Sequence, residues 1–354
     1  MVGVRSRMLR AAAELLPSQR ADPPAAPDTS EMVRTAAAHW TRETKEGPCQ
    51  ARTRWWQHPV IVRHVNKSIC GAPVDGRAAG DVSLLERRLQ GRVFESAISV
   101  GCGTGGKEMA LLRANLVTRF DLYEISDARI QRGKELADRH GLRDRITWHN
   151  RVVDFESDAL DGEYDLVYWN NALHHMLDVD QAVQWSKRAL RRGGYLYVND
   201  FVGPNRMQWS DEALAIGSRA RELLPRRLLK RPNRRGYFAR SLRRLPPDAV
   251  AATDPTECAD SDDILPAIRR HFPAAWIKPT GGTIYHAALN DIVANFTDED
   301  TSLLEFLLLL DDACTAAGHT HYAVALAPRD RRSTRRKRVS ETGKRQPRPV
   351  GTRR

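Results

Sequence analysis

Between residues 93 and 202 the chain alternates short apolar segments with segments of helical pattern. Five apolar, β-prone runs occur in this region, at Ser96–Val100, Phe120–Glu124, Ile146–Trp148, Tyr164–Trp169 and Gly194–Val198. Helical patterns begin at Lys107 and at about Asp180, and a third follows a cap at Ser126 or Asp127 and stops at Gly141. Regular β-α alternation predicts an α/β fold whose parallel sheet is covered by helices on both faces.

After Asp200 this alternation stops. An Arg-rich segment of helical pattern runs to about Asp263, which predicts a helical insertion after the fifth strand. Strand patterns return at Ala275–Lys278 and Thr283–Tyr285, and a helix is predicted over residues 301–317. The pattern His321–Ala327 predicts a last strand that closes the fold.

Composition distinguishes the N-terminal and C-terminal regions from the main domain. Residues 1–30 contain a Pro/Ala-rich stretch and are predicted to be a flexible lead-in, and residues 31–92 are predicted to form an N-terminal helical cap. The main domain is expected at 93–328, with its basic insertion at about 205–263. Residues 329–354 carry twelve Lys and Arg against two acids, with almost no apolar residues, and predict a disordered basic tail.

The net charge of +12 resides mostly in that tail, which leaves the function of the tail open between attraction to nucleic acid and a solvated extension. No apolar run approaches the ~20 residues of a membrane span. Glu14 interrupts the apolar stretch that a signal peptide would need. The five cysteines are scattered and form no C-x-x-C pair, so a reducing, cytoplasmic location without a disulfide framework is expected.

A glycine-rich turn follows the first predicted strand. Glycines stand at 101, 103, 105 and 106, where the absence of Cβ atoms lets a nucleotide-like ligand approach the main chain. Glu124 ends the next strand pattern, 23 residues after Gly101, close to the ~20 expected for an acid that binds a ribose. The glycines alone fit both the G-x-G-x-x-G loop of dinucleotide enzymes and the G-x-G-x-G loop of S-adenosylmethionine enzymes.

Five motifs in order give residues 95–327 a wider resemblance. They are Val100–Gly105, Glu124 at the second strand end, Asp154 after the third strand, Asn170–His175 after the fourth and Leu190–Gly194 before the fifth. This chain resembles a class I S-adenosylmethionine-dependent methyltransferase, and its flanks are similar to a group of bacterial members. The resemblance implies a doubly wound, mostly parallel, Rossmann-like sheet of seven strands.

The resemblance also implies S-adenosyl-L-methionine as cofactor and a set of residues that bind it. Glu124 would bind the ribose hydroxyls, Asp154 the adenine amino group, and Ile125 either the adenine ring or the core. The implied cofactor-binding residues are Gly101, Cys102, Gly103, Gly105, Glu124, Ile125, Asp154, Phe155 and Asn170.

One position departs from the family pattern. Ser99 stands where the family often has an acid, near the amino group of the donor. Glu108, early in the following helix, is either a substitute for that acid or a carboxylate on the helix surface.

Two adjacent histidines are the candidates for catalysis. His174 and His175 lie where the family places its substrate-side loop, and the pKa of a histidine suits a general base for a hydroxyl acceptor. The alternative is a structural pair with one ring buried. No metal is predicted, because no third ligand is spaced near this pair.

The acceptor is inferred from the basic insertion. Residues 219–244 hold eleven Lys and Arg and one acid, which favours either a lid that attracts an anionic acceptor or a solvated helical cap. Trp55, Trp56 and His58 would form the opposite wall of the pocket or fasten the N-terminal helices to the sheet.

The predicted reaction is methyl transfer from S-adenosylmethionine to a hydroxyl of a small molecule, a glycan or a lipid-linked intermediate. A nicotinamide-dependent oxidoreductase on the same loop is an alternative. So is a nucleic-acid methyltransferase that uses the basic tail, although Asn170-Asn-Ala-Leu173 replaces the expected Asn-Pro-Pro-Tyr. The oligomeric state stays open.

Overall fold

A computed structural model describes residues 29–46, 54–158, 161–231 and 235–329. The predicted lead-in, apart from its last two residues, and the basic tail from residue 330 onward lie outside the described residues. The described chain contains one seven-stranded sheet in the order β3-β2-β1-β4-β5-β7-β6. The strands are β1 (Phe94–Val100), β2 (Val117–Tyr123), β3 (Ile146–His149), β4 (Tyr164–Asn170), β5 (Leu190–Phe201), β6 (Trp276–Gly281) and β7 (Tyr322–Pro328).

The sheet is parallel from β3 to β5 and antiparallel around β7. The first two strands pair in the register Ala97 with Phe120, and β7 enters between β5 and β6 with Ala325 opposite Val198. The order reverses at β1, so the carboxyl ends of β1 and β4 border the crevice where α/β sheets bind ligands. The prediction of a doubly wound, mostly parallel seven-stranded sheet is confirmed.

Helices cover both faces of this sheet, and one of them begins at its predicted cap. Ser126 accepts a hydrogen bond from the Arg129 N–H and starts the helix Asp127–Arg139. Asp178, which was not predicted as a cap, starts the helix Val179–Ala189 in the same way. No helix in the described ranges has the length and apolarity that crossing a membrane requires. The helices are α1 (Thr29–Glu46), α2 (Pro59–Cys70), α3 (Ala79–Leu89), α4 (Gly106–Arg113), α5 (Asp127–Arg139), α6 (Val179–Ala189), α7 (Asp211–Leu223), α8 (Pro247–Ala251), α9 (Ile264–His271) and α10 (Thr301–Ala316).

The core consists of two layers, one on each face of the sheet. Every residue of β4 is buried, because successive side chains enter opposite layers. Tyr168 packs in the layer that contains α2, α3 and α4, where its ring stacks on Tyr197 at 5.1 Å between centroids. Trp169 packs in the other layer, against α6 and α9. This burial on both faces explains why β4 is a continuous apolar run.

Two predicted elements after Asp200 differ from the structure. Thr283–Ala288 is a π-helix rather than a strand. Gly281 and Gly282 adopt left-handed φ angles of 98° and 112°, and the buried Asp311 carboxylate accepts the N–H groups of Gly282 and Ile284. These contacts turn the chain where apolar alternation predicted β-structure. Within the described residues of the insertion, helical structure is limited to α7, α8 and short 3-10 turns.

Candidate functional site

A cavity of about 2580 Å³ opens at the carboxyl ends of β1, β2 and β4. It is lined by the loops after these strands, by α1 and by part of the insertion. Single-ligand pockets are typically ~300–1,000 Å³. This cavity therefore has room for a donor and an acceptor together.

The glycine loop forms one wall of this cavity. Gly101, Cys102 and Gly103 line it, and Gly101 has a φ of 67°. A Cβ on Gly101 would lie 3.1 Å from the Ala172 Cβ, so a larger residue would push two loops apart. Gly105 does not line the cavity; it starts α4 with a φ of 68° and packs beneath the loop.

Glu124 fixes the loop from the end of β2. One carboxylate oxygen accepts the Gly103 N–H at 2.8 Å, and the other accepts the N–H groups of Ile125 and Ser126 at 2.9 Å. Burial raises the pKa of Glu124, although Arg129 and these backbone donors oppose the shift. The carboxylate lines the cavity and retains lone pairs for further donors.

Ile125, Asp154 and Phe155 line the cavity beyond Glu124. Asp154 is exposed and accepts hydrogen bonds within its own turn, from the Glu156 and Ser157 N–H groups at 2.9 and 3.3 Å. The Ser157 hydroxyl and these N–H groups lower the pKa of Asp154. The carboxylate is therefore ionised and fixed, but open to water.

Sequence reasoning missed two cations behind the glycine loop. Lys107 donates from Nζ to the Asn170 carbonyl at 2.8 Å and to Asn170 Oδ1 at 2.5 Å. Burial lowers the pKa of Lys107 to about 8, and it also lowers the pKa of Arg77, which lines the same cavity. A lysine in the first turn of a helix opposes the helix dipole, and this was the signal in the sequence. Lys107, which is half-buried, and Arg77, which is exposed but lines the same cavity, together favour an anionic group here.

Asn170 is held in place by a buried residue of the N-terminal cap. Asp81 accepts from Asn170 Nδ2 at 2.8 Å and from the hydroxyl of Tyr197 at 2.5 Å. Burial raises the pKa of the Asp81 carboxyl, while these donors oppose the shift. The cap helix α3 thus positions the loop after β4, which no local sequence pattern indicated.

Glu108 was expected either to replace the missing acid near the donor or to lie on the helix surface, and the structure shows it in neither place. Its side chain is buried rather than exposed, and it does not line the cavity. The Ser99 hydroxyl donates to Glu108 Oε1 at 2.8 Å, and burial raises the pKa of Glu108. Ser99 and Glu108 form an internal pair under the loop.

His174 lines the cavity at the loop after β4, and its imidazole pairs with the buried carboxylate of Asp200. His174 Nδ1 lies 2.5 Å from Asp200 Oδ1. The other oxygen of Asp200 accepts the N–H groups of Ala172 and Leu173 at 2.9 and 2.8 Å, which fixes the carboxylate. Burial disfavours the imidazolium, but Asp200 outweighs it and raises the pKa of His174.

His175 has different partners. Its Nδ1 lies 3.1 Å from the Thr256 hydroxyl, and burial together with the adjacent His174 lowers its pKa to about 4. Glu257 comes within 3.9 Å of the Nε2 atoms of both histidines. The premise of the metal prediction is therefore wrong, since the insertion brings a third potential ligand to the pair. The absence of a metal stays a prediction.

The basic stretch does not face the cavity. No described residue between 219 and 244 lines it. Arg221 pairs with Asp291, Arg227 donates to Asp300 at 2.8 Å, and Arg240 donates to the carbonyl groups at the end of α7. The contacts of these residues give no support to the prediction that they draw an anionic acceptor into the cavity, which stays a prediction. The insertion residues that line it are Met207, Leu245, Ala249, Val250, Thr253, Asp254, Thr256 and Glu257.

The two tryptophans of the predicted wall divide their roles. Trp55 is buried and packs against Tyr285 and Tyr322 at 4.8 and 5.2 Å between centroids, so it fastens the N-terminal segment to the core. Trp56 lines the cavity, whereas His58 does not.

Known proteins are similar in sequence to part of this chain. Residues 98–196 match the family model described as a methyltransferase domain. The 27-O-demethylrifamycin SV methyltransferase of Amycolatopsis mediterranei (strain S699) is 28% identical over 111 residues, which cover 31% of this chain and 40% of that protein. A hybrid PKS-NRPS synthetase of Hapsidospora irregularis is 34% identical over 113 residues, covering 29% of this chain and 3% of that protein. The chain thus spans less than half the length of these relatives.

Among solved structures, geranyl diphosphate C-methyltransferase from Streptomyces coelicolor A3(2) aligns with a TM-score of 0.45 and 15% identity, covering 86% of this chain and 99% of that chain. Residues 98–196 thus match a methyltransferase domain, and the motifs and sheet order of this chain are similar to those of class I S-adenosylmethionine-dependent methyltransferases.

Proposed function

We propose that the chain transfers a methyl group from S-adenosylmethionine to a hydroxyl oxygen of a small molecule. The observation that carries this proposal is that one cavity contains two different sites. A nucleoside-type site lies around Glu124, in what we call the donor half, and an imidazole held by a carboxylate lies at His174, in the acceptor half. A group transfer between two ligands needs both sites in one enclosed space.

The donor would lie across the carboxyl ends of β1 and β2. Glu124 accepts the ribose hydroxyls through its remaining lone pairs, and the Gly101–Gly103 backbone lies along the methionine part. Ile125, Phe155 and Asp154 lie against the adenine, and Lys107 with Arg77 attracts the donor carboxylate. This arrangement points the methyl group toward the loop that carries His174.

The acceptor oxygen attacks the methyl carbon in line, and the carbon–sulfur bond breaks to leave S-adenosylhomocysteine. His174 takes the proton of the hydroxyl at Nε2, since Nδ1 is held by Asp200. The carboxylate stabilises the imidazolium that forms, and a base of this kind is worth ~10²–10⁴-fold in rate. His175 lies beside it and is neutral at physiological pH. The name of the Amycolatopsis relative, an O-methyltransferase, supports oxygen as the acceptor atom.

Calorimetry with S-adenosylhomocysteine and, separately, NAD⁺ tests the donor half. We expect micromolar binding of the first and none of the second, on the scale of ordinary cofactor sites. Incubation of the protein with methyl-labelled S-adenosylmethionine and a panel of hydroxylated small molecules tests the transfer. Binding of NAD⁺ in preference to S-adenosylhomocysteine would overturn the proposal in favour of an oxidoreductase.

A further inference from the structure

The acceptor half of the cavity has a largely apolar and aromatic wall. Phe201 and Tyr322 contribute rings whose centroids lie 5.5 Å apart. Met207, Leu245 and Val250 line the cavity from the insertion, and Leu245 leaves 62% of its surface exposed there. An exposed leucine at the rim of an apolar cavity is typical of a surface that a ligand covers.

The charges near this wall disfavour an anion. Asp254 and Glu257 line the cavity beside the histidine pair, and Asp254 Oδ2 is buried without a hydrogen-bond partner among the described residues. Arg54 also lines the cavity, and its guanidinium lies 6.0 Å from the ring centroid of Trp56. Arg129 lines the cavity as well, and it interacts with both Glu124 and Asp254. Two cations against Asp254 and Glu257 leave this end without the excess positive charge that a phosphate would need.

His286 supplies an unused polar group in this wall. It lies in the π-helix and is 9% exposed, and its ring contacts Phe201 and Tyr322 edge-on at 5.9 and 5.4 Å between centroids. Its Nδ1 is shielded from solvent and has no hydrogen-bond partner in the described chain. His286 also lines the cavity.

The same residue is held neutral. Burial, together with His321, His174 and Arg54, lowers the pKa of His286 to about 3. A neutral imidazole offers one N–H and one lone pair, so it can pair with a hydroxyl or a carbonyl. π-Helical turns occur often at functional sites, and the function proposed above leaves this one without a role.

We propose that the acceptor is an uncharged, ring-bearing apolar molecule, and that His286 selects it by a hydrogen bond to a second polar group. This inference rests on the proposed function, because it assigns the acceptor half of the same cavity. The ring system of the acceptor lies between the Phe201–Tyr322 pair on one side and the rim residue Leu245 on the other. Its reacting hydroxyl faces His174. His286 touches the acceptor away from the reacting oxygen and is a specificity residue rather than a base.

Two matched probes test the charge preference. The full chain is saturated with S-adenosylhomocysteine, which fills the donor half, and titrated calorimetrically with 2-naphthol or naphthalene-2-sulfonate. Both have the same ring system, and one is neutral at pH 7 while the other is an anion. We expect naphthol to bind at least tenfold more tightly, since the sulfonate would be desolvated beside Asp254 and Glu257.

A matched pair of histidine variants tests the role of His286. His321 is also buried, also has an Nδ1 without a partner in the described chain and also contacts Phe201, but it does not line the cavity. The probe for this test is naphthalene-2,6-diol, which has a second hydroxyl for His286 while the first faces His174. We expect His286→Phe to weaken its binding about fivefold, the effect of losing one hydrogen bond. His321→Phe should leave it unchanged, and His286→Gln should restore part of the loss.

Several results would overturn the inference. Sulfonate binding as tight as naphthol would remove the charge preference, and equal losses in both Phe variants would remove the special role of His286. If either variant fails to fold, the two-probe comparison on the unmodified chain still decides the charge preference, and His286→Gln decides the hydrogen bond. Failure of the proposed function would be seen separately, as no heat with S-adenosylhomocysteine.

Discussion

The two ends of the cavity are built in different ways. The donor end comes mainly from consecutive segments, the loops after β1, β2 and β3 within residues 100–155, to which the N-terminal region adds Arg77. The acceptor end combines Trp56, His174, Val250, His286 and Tyr322, which are scattered over most of the described chain. A site made from one supersecondary unit can be recognised from the sequence. A site assembled from distant segments can be recognised only when the fold is known.

The geometry of the donor end is set by the backbone, whereas that of the acceptor end is set by side chains. The donor end follows from left-handed glycines and from a carboxylate that binds three backbone N–H groups, and these are backbone requirements. The acceptor end depends on how side chains of the insertion pack. We therefore expect substitutions at the donor end to reduce affinity, and substitutions at the acceptor end to alter turnover and selectivity.

The largest effect is expected for His174. Replacement of His174 by Asn removes the proposed base and should lower kcat by ~10²–10⁴-fold at unchanged S-adenosylhomocysteine affinity. His175→Asn is the matched control, because His175 lies next to it but lacks the Asp200 partner. Steady-state kinetics on an acceptor found in the panel provide the measurement. Equal losses in the two variants would contradict the assignment of the base to His174.

The pH profile of the same reaction tests the role of Asp200. A base must be neutral to take a proton, and Asp200 raises the pKa of His174 above the ordinary value of 6.5. The rate should therefore rise with pH and level off only above that raised pKa. Asp200→Asn should shift this rise to lower pH, because the neutral amide no longer stabilises the imidazolium. An unshifted profile would show that another group titrates.

The second largest effect is expected at the donor end. Glu124→Ala removes charge-assisted hydrogen bonds and should weaken S-adenosylhomocysteine binding by about 2–3 kcal/mol, which is roughly 30- to 150-fold. Glu135→Ala, on the exposed surface of α5, is the control and should bind normally. Calorimetry measures both. Unchanged affinity in Glu124→Ala would break the assignment of the ribose site.

A smaller effect is expected for Asp154. Its carboxylate is exposed, and it already accepts hydrogen bonds from its own turn. Asp154→Asn should therefore weaken S-adenosylhomocysteine only about two- to fourfold, the scale of a solvent-exposed hydrogen bond. A loss as large as that of Glu124→Ala would show that the adenine is held more firmly than this geometry indicates.

The smallest effect is expected for the basic insertion. No described arginine of the insertion lines the cavity, and Arg221, Arg227 and Arg240 pair with acids or carbonyl groups outside it. We therefore expect kcat/KM to change less than about twofold between low and moderate salt. A steep fall with ionic strength would restore the role of these cations in attracting the acceptor.

Much of the donor end could be predicted from sequence because strand, glycine turn, helix and acid follow one another locally. The π-helix at 283–288 could not, since the Asp311 carboxylate that turns it lies in α10. Likewise, the eleven basic residues at 219–244 suggested a lid, but Arg221 and Arg227 pair with Asp291 and Asp300, which are remote in the chain. Periodicity indicates which residues are buried, but it does not identify the partner of a charge.

A crystal structure with S-adenosylhomocysteine tests the central claim most directly. The account predicts both ribose hydroxyls within hydrogen-bond distance, about 2.6–3.2 Å, of the Glu124 carboxylate. It also predicts that the sulfur faces the His174 side of the cavity. A ligand whose ribose lies away from Glu124, or whose sulfur points away from His174, would contradict it.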